Sequence, residues 1–203
     1  GVTGVQTCAL PIFFMDEIEK SLQDWGQQLE NVHLPRWHEL PDIELYMDQV
    51  ITLIEKYLSP LITLEKHTLL TSSMVNNYVK HGLIPAPVKK RYNQKHLAFL
   101  IAITLLKQVL TLPEIKQGIL FQGATVGIRE AYNLFCQEQE RAIYVIAAQA
   151  QEKEVQAKSQ EPMGIEYLAV KAATMSFATK MFSEKVIELE QEYLKEMDEM
   201  THE

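Results

Sequence analysis

The chain has 203 residues, of which 47% are hydrophobic, and a formal net charge of −8. A sequence this rich in apolar residues can bury one substantial core, which excludes a disordered chain. The longest apolar run, Leu97–Leu106, is about half of the ~20 residues that a membrane-spanning helix needs, so we expect no transmembrane segment. Cys8 and Cys136 offer neither a disulfide framework nor a Cys-x-x-Cys pair, which predicts the reducing cytoplasm of a bacterium as the location.

The negative charge is unevenly distributed along the chain. Residues 1–60 carry −7, residues 61–118 carry +6 and residues 119–203 carry −7. A basic segment between two acidic segments is typical of a nucleic-acid-binding module whose neighbours have another task. The middle third is therefore the part that we expect to contact nucleic acid.

The first residues require separate treatment, because Gly1–Ile12 resembles a translated sequencing-adapter remnant. A signal peptide would need a basic start and an Ala-x-Ala cleavage site, and Met15 offers a natural start. We therefore predict residues 1–14 to be non-native. Residues 15–33 are then an N-terminal segment, 34–122 a DNA-binding domain and 123–203 a C-terminal helical region for dimerisation or regulation.

Apolar residues recur at three- and four-residue steps over most of the chain, and this period predicts an all-α fold. Thr71 and Asn93 are good N-terminal caps, and Gly82 is a helix stop. Pro85 and Pro87 exclude a helix between them and Gly82. We expect helices over residues 43–58, 61–67, 72–81, 94–110, 112–120, 128–158 and 164–197.

The last predicted helix has an apolar stripe that continues over four heptads. The stripe consists of Ile165, Leu168, Ala172, Met175, Thr179, Phe182, Val186, Leu189 and Tyr193. Such a stripe is either the core of a long helical hairpin within one chain or the seam of a coiled coil that joins two copies into a homodimer.

The helix predicted over residues 72–81 has the pattern of a helix that enters the DNA major groove. Val75 and Val79 lie one turn apart and should face the core, which leaves the opposite face to solvent. Asn76 and Asn77 are the candidate base readers, because asparagine can form two hydrogen bonds with adenine. Basic side chains would neutralise phosphates and so supply affinity without sequence information. The predicted DNA-contacting residues are Ser72, Ser73, Asn76, Asn77, Tyr78, Lys80, Lys89, Lys90, Arg91 and Lys95.

These segments resemble the MerR family in the order of recognition helix, wing, capped helix and closing helix. The resemblance lies in residues 76–85, in 91–97 (RYNQKHL) and in 112–116 (LPEIK). The wider stretch from Leu34 to Leu110 is similar to an uncharacterised bacterial domain family of that class. The resemblance implies a winged helix-turn-helix head between Leu61 and Ile119.

Two departures from the MerR pattern limit what carries over. MerR proteins have Arg-Tyr-Tyr where this chain has Asn76-Asn77-Tyr78, and their wing is several residues longer. Only Tyr78 matches residue by residue, as a DNA-backbone contact or a packing residue. Activation by promoter distortion is therefore not expected.

These features predict a sequence-specific transcriptional regulator, a repressor that binds double-stranded DNA as a homodimer. The alternative is a non-catalytic protein-interaction module whose winged head has lost DNA binding, and burial of Asn76 and Asn77 would favour it. A small-molecule effector is a third option, with an apolar pocket among Phe135, Tyr144, Met175 and Phe182. Because the sequence lacks phosphate-loop, nucleophile and metal-ligand motifs, we expect no enzymatic activity, cofactor or metal. Cys136 is interpreted as a small buried hydrophobic residue.

Overall fold

A computed structural model of the chain describes residues 9–62, 69–155 and 164–201. These residues form an all-helical fold without strands. Short 3₁₀ helices cover Trp37–Glu39 and Ile165–Tyr167. The α-helices are α1 (Ala9–Leu29), α2 (Met47–Leu58), α3 (Ser72–Lys80), α4 (Gln94–Leu106), α5 (Leu112–Thr125), α6 (Ile128–Ala150) and α7 (Leu168–Thr201).

Helices are present at most of the positions that the sequence predicts, but several of their bounds differ from the predicted ones. α2 begins at Met47 and not at residue 43, because Leu45 exchanges two backbone hydrogen bonds with Tyr92, at 2.8 and 2.9 Å. α4 and α6 end four and eight residues before their predicted ends, and α5 ends five residues later than predicted. The helix predicted over residues 61–67 lies largely outside the described residues. α1 has no counterpart among the predicted helices.

The hydrophobic core centres on α4, which contacts α2, α5, α6 and α7. Its side chains at Leu97, Leu100, Ile101 and Ile103 are fully buried. One apolar cluster extends from these residues to α1, α6 and α7, so the core continues past residue 122. The helical head and the C-terminal helices therefore share one core.

α1 packs closely against α6, and Gly26 makes this approach possible. A Cβ atom on Gly26 would lie 2.7 Å from the backbone oxygen of Ala147, which is closer than real Cβ atoms come to any heavy atom. The ring of Trp25 stacks on that of Phe182 in α7, with 6.0 Å between the ring centroids. α1, α6 and α7 therefore pack as a bundle.

α6 and α7 run in the same direction. Ile128 and Ala131 at the start of α6 line the same cavity as Ala169 and Val170 at the start of α7. Farther along both helices, Gln139 Nε2 donates a hydrogen bond to the backbone oxygen of Thr174 at 3.1 Å. The predicted hairpin is therefore wrong for these two helices, because the helices of a hairpin are antiparallel.

The first half of α7 packs through a different face from the one that its sequence predicts, whereas Leu189, farther along the predicted stripe, is buried at 6% exposure. Ile165 and Leu168, which begin the predicted stripe, are 84% and 49% exposed. The buried side of α7 instead includes Ala173, Phe177 and Ala178. The face shifts because α7 packs against both α6 and α1, and this position between two helices favours small residues.

Candidate nucleic-acid interface

The bounds of α3 are determined by local chemistry. Thr71 Oγ1 accepts a hydrogen bond from the backbone N–H of Met74 at 3.2 Å and so caps the first turn. Gly82 ends the helix with a φ of +65°. The N–H of Leu83 donates a hydrogen bond to the backbone oxygen of Tyr78 at 2.8 Å. The predicted cap and the predicted stop are both confirmed.

One face of α3 is polar and exposed. At about 3.6 residues per turn, its members span an arc of about 140°. Val75 is fully buried on the other side, and Val79 is partly buried. The predicted orientation of the helix is therefore confirmed. The exposed residues are Ser72, Ser73, Asn76, Asn77 and Lys80.

Tyr78 does not belong to that face. Its side chain is 2% exposed, and burial raises the pKa of its phenol. Of the two roles that the resemblance implies, the structure has the packing role. Tyr78 is therefore part of the core beneath α3 and not of the exposed surface.

The basic segment after α3 is a tight turn. The N–H of Arg91 donates to the oxygen of Val88 at 2.9 Å, and between them Lys89 and Lys90 have φ of +49° and +61°. Positive φ at both central residues is the geometry of a type I′ hairpin turn, which normally contains Asn and Gly. The turn exposes both lysines, and neither forms an ion pair with a described acidic residue. Directly after this turn, Tyr92 pairs with Leu45 through backbone hydrogen bonds.

The side chains of Arg91 and Lys95 each lie near an aromatic ring. The guanidinium carbon of Arg91 lies 3.5 Å from the ring centroid of Tyr46, and Nη2 also donates to the hydroxyl of that tyrosine. Lys95 is exposed, with Nζ 6.0 Å from the ring of Phe99. Tyr46 is a residue that sequence reasoning missed, and no local signal could have found it because it lies 45 positions from its partner.

Two further lysines of the basic segment hold α3 in place. Lys107 Nζ donates to the oxygen of Leu69 before the helix, at 2.8 Å, and Lys116 Nζ donates to the oxygen of His81 after it, at 2.8 Å. Burial lowers the pKa of Lys107. The charge of the middle segment therefore serves partly to position α3.

His96 joins the turn to α4. Its Nδ1 accepts from the N–H of Asn93 at 3.0 Å, and its Nε2 donates to the oxygen of Pro85 at 3.1 Å. The imidazole is buried beside the ring of Tyr92, and burial lowers its pKa. His96 therefore links the Asn93 cap of α4 to Pro85 before the turn.

The remaining sequence expectations concern Cys136, the membrane and the effector pocket. Cys136 is fully buried, as predicted, and its environment raises the thiol pKa to about 12. Among the described helices, none has the length and apolar character to cross a bilayer. Tyr144 is exposed and Phe182 stacks on Trp25, so the predicted pocket around these two residues is wrong.

Comparison with known proteins gives one match. No curated protein and no solved structure is significantly similar to the chain, so the MerR resemblance stays a prediction. The matched segment contains α2 to α5 and the first turns of α6, and thus all of the candidate interface. Residues 35–135 match the model of the family described as "Domain of unknown function (DUF1836)".

Proposed function

We propose that the chain is a sequence-specific DNA-binding transcriptional regulator, a cytoplasmic repressor that acts as a homodimer. In this proposal the head is a short-winged helix-turn-helix of the MerR-like class, with α3 as recognition helix and residues 88–91 as wing. The observation that carries the proposal is the exposed polar face of α3, which is followed by an exposed basic turn.

The dimensions of α3 suit the major groove. A helix with its side chains is about 10–12 Å across, which fits the groove width of about 12 Å. Recognition helices insert their N-terminal residues first, where α3 carries Ser72 and Ser73. Asn76 and Asn77 follow one turn later, where a side-chain amide can reach a base edge. The face thus places small polar residues and base readers in the order that insertion requires.

The phosphate contacts are assigned to four exposed lysines and the half-buried Arg91 around this face. Lys80 ends α3, Lys89 and Lys90 form the tip of the turn, and Arg91 and Lys95 follow it. The stacking on Tyr46 restricts the Arg91 guanidinium before DNA arrives, which reduces the entropy that binding must remove. Within residues 69–118 the sequence has one acidic residue, Glu114.

The dimer is assigned to the C-terminal end of α7. Leu194, Met197 and Met200 are exposed at three-residue steps near that end. Apolar residues at such steps on a helix favour pairing with a second helix. Two heads joined in this way would read half-sites about 34 Å apart, or a multiple of that distance.

The test is selection of bound sequences from random double-stranded DNA with the full chain, followed by affinity measurements at several salt concentrations. We expect an enriched palindromic sequence and an affinity that falls steeply with salt. The double variant Lys89→Ala/Lys90→Ala should weaken binding to all sequences and reduce the salt slope by up to about 2. The control Lys20→Ala/Lys56→Ala removes the same charge from exposed positions in α1 and α2 and should bind as the original chain does. No salt-dependent binding by the folded chain would reject the proposal in favour of a protein-interaction module.

A further inference from the structure

A cavity of about 500 Å³ lies between α4 and α5 on one side and α6 and α7 on the other. The cavity opens to solvent at its rim, where Phe121 is 55% exposed, and its volume lies within the range of about 300–1,000 Å³ that small-molecule sites occupy. The wall is mostly apolar, and small residues leave the space open where larger ones would fill it. These small residues include Ala98, Ala102, Gly118, Ala131, Ala169 and Ala173.

The wall contains one buried polar group with an unused acceptor. Gln122 is 7% exposed, and its Nε2 donates a hydrogen bond to the backbone oxygen of Glu166 at 2.6 Å. This bond fixes the amide, because Nε2 must be the donor and Oε1 is then the remaining group. Oε1 is buried and accepts no hydrogen bond from the described residues. Buried carbonyl groups are nearly always paired in proteins, so this oxygen points to a donor that enters the cavity.

We propose that this cavity binds a neutral, mainly apolar small molecule that carries a hydroxyl or N–H donor. The apolar wall supplies most of the contact area, and Gln122 Oε1 accepts the single directed hydrogen bond. A charged ligand is disfavoured because desolvation opposes burial of its charge. The one charged residue in the wall, Glu114, already accepts hydrogen bonds from the backbone and hydroxyl of Thr111.

The site is placed to act on α3, and this step rests on the proposed function. α4 and α5 form one side of the cavity, and the lysines that hold α3 lie on these elements. Lys107 follows the last residue of α4 and binds the oxygen of Leu69, and Lys116 in α5 binds the oxygen of His81. A ligand that shifts α4 against α5 would therefore move the supports at both ends of α3, so the molecule is an effector.

The binding test uses two probes of nearly equal shape. 2-Naphthol carries a hydroxyl donor, and 2-methylnaphthalene has a methyl group in its place. We expect 2-naphthol to raise the melting temperature of the full chain in a concentration-dependent manner. We expect 2-methylnaphthalene to bind about five- to tenfold more weakly in ligand-observed NMR, because one hydrogen bond is lost. Absence of a shift with 2-naphthol, or equal affinity for both probes, would overturn the proposal.

Two variants locate the bound probe. A Cβ atom on Gly118 would meet open space, so Gly118→Leu should fill the cavity without a backbone clash and keep the helix folded. We expect both probes to bind this variant at least tenfold more weakly. Gln122→Met should keep the apolar contacts and abolish the preference for 2-naphthol, because a hydroxyl buried without a partner loses its hydrogen bonds to water. Unchanged binding of 2-naphthol by the folded Gly118→Leu variant would show that the probe sits elsewhere. Conversion of a dimer to a monomer by the same substitution would show that a second copy, and not a small molecule, covers this face.

The coupling to α3 is measured without DNA. Saturation with 2-naphthol should change amide hydrogen exchange in Ser72–Lys80 by twofold or more in the original chain and leave it unchanged in Gly118→Leu. An unchanged α3 despite bound probe would overturn the coupling. Failure of DNA binding would be visible separately, because neither the NMR nor the exchange experiment contains DNA.

Discussion

Arg36 and Glu140 form a two-pronged ion pair between the segment before α2 and the middle of α6. Nη1 lies 2.8 Å from Oε1, and Nη2 lies 2.5 Å from Oε2. Oε1 also accepts from the N–H of Leu34 at 2.7 Å. The neighbouring Tyr132 donates from its hydroxyl to the oxygen of Pro35 at 2.6 Å. These contacts hold the Leu-Pro-Arg-Trp segment on α6 and so join the helical head to the C-terminal helices.

Glu140→Gln is expected to lower the free energy of unfolding by about 2 kcal/mol at pH 7, because it weakens charge-assisted hydrogen bonds in a half-buried site. Burial opposes ionisation of Glu140, but the bonds from Arg36 and Leu34 outweigh it and lower the carboxyl pKa. The stability that this group supplies is present above its unfolded pKa and lost as pH falls through the folded pKa. Urea denaturation from pH 7 to pH 3 should show this loss in the original chain and less of it in the variant. The exposed control Glu190→Gln should match the original chain.

His96 should make the fold sensitive to mild acid. Burial, aided by the charge of Lys95, lowers the imidazole pKa in the folded chain below its ordinary value of 6.5. The unfolded chain then binds the proton more readily, so stability should decrease as pH falls below about 6.5 until the folded pKa is reached. His96→Gln removes the titrating group and should flatten this part of the curve in thermal melts. A slope that survives the substitution would contradict the assignment.

The type I′ turn offers a way to separate charge from backbone strain. Lys89→Asn/Lys90→Gly replaces two residues at positive φ with the pair that this turn prefers, and it should stabilise the fold by about 1 kcal/mol or more. Lys89→Ala/Lys90→Ala removes the same charge but keeps residues with a Cβ atom, so no comparable gain is expected. Chemical denaturation measures both. Equal stability of the two variants would show that the turn is unstrained.

Two glycines should respond to alanine in opposite directions. At Gly26 the new Cβ would meet the backbone oxygen of Ala147, which cannot rotate away, and we expect a loss of about 1–3 kcal/mol. At Gly118 the Cβ would meet open space, and the higher helix propensity should add about 0.5–1 kcal/mol. Melting temperatures of the two variants should therefore lie on either side of that of the original chain.

Asn76→Ala should change sequence preference and leave the fold intact, since alanine favours a helix at an exposed position. The expected effect is a loss of discrimination of about 1–3 kcal/mol at one base pair of the selected site, with an unchanged salt slope. Competition binding with single-base variants of that site measures it. A uniform loss over all sequences would assign Asn76 to the DNA backbone.

The geometry of α3 was predictable because its determinants are local. The Thr71 cap acts within three residues, the Gly82 stop needs only a positive φ, and periodicity alone separates Val75 from Asn76 and Asn77. The start of α2 was not predictable in this way. Leu45 leaves the helical pattern because its backbone pairs with that of Tyr92, 47 residues away.

Local sequence chemistry thus accounts for the all-helical fold, for the residues that α3 exposes and for the basic segment beside it. Tertiary structure alone made Lys107 and Lys116 supports of α3, gave α6 and α7 a common direction and determined the buried face in the first half of α7. It also formed the cavity in which Gln122 Oε1 lies without a partner among the described residues. The physical reason is distance along the chain. Caps and helix periods act within one or two turns, whereas each of these features requires atoms from segments that only packing of the core brings together.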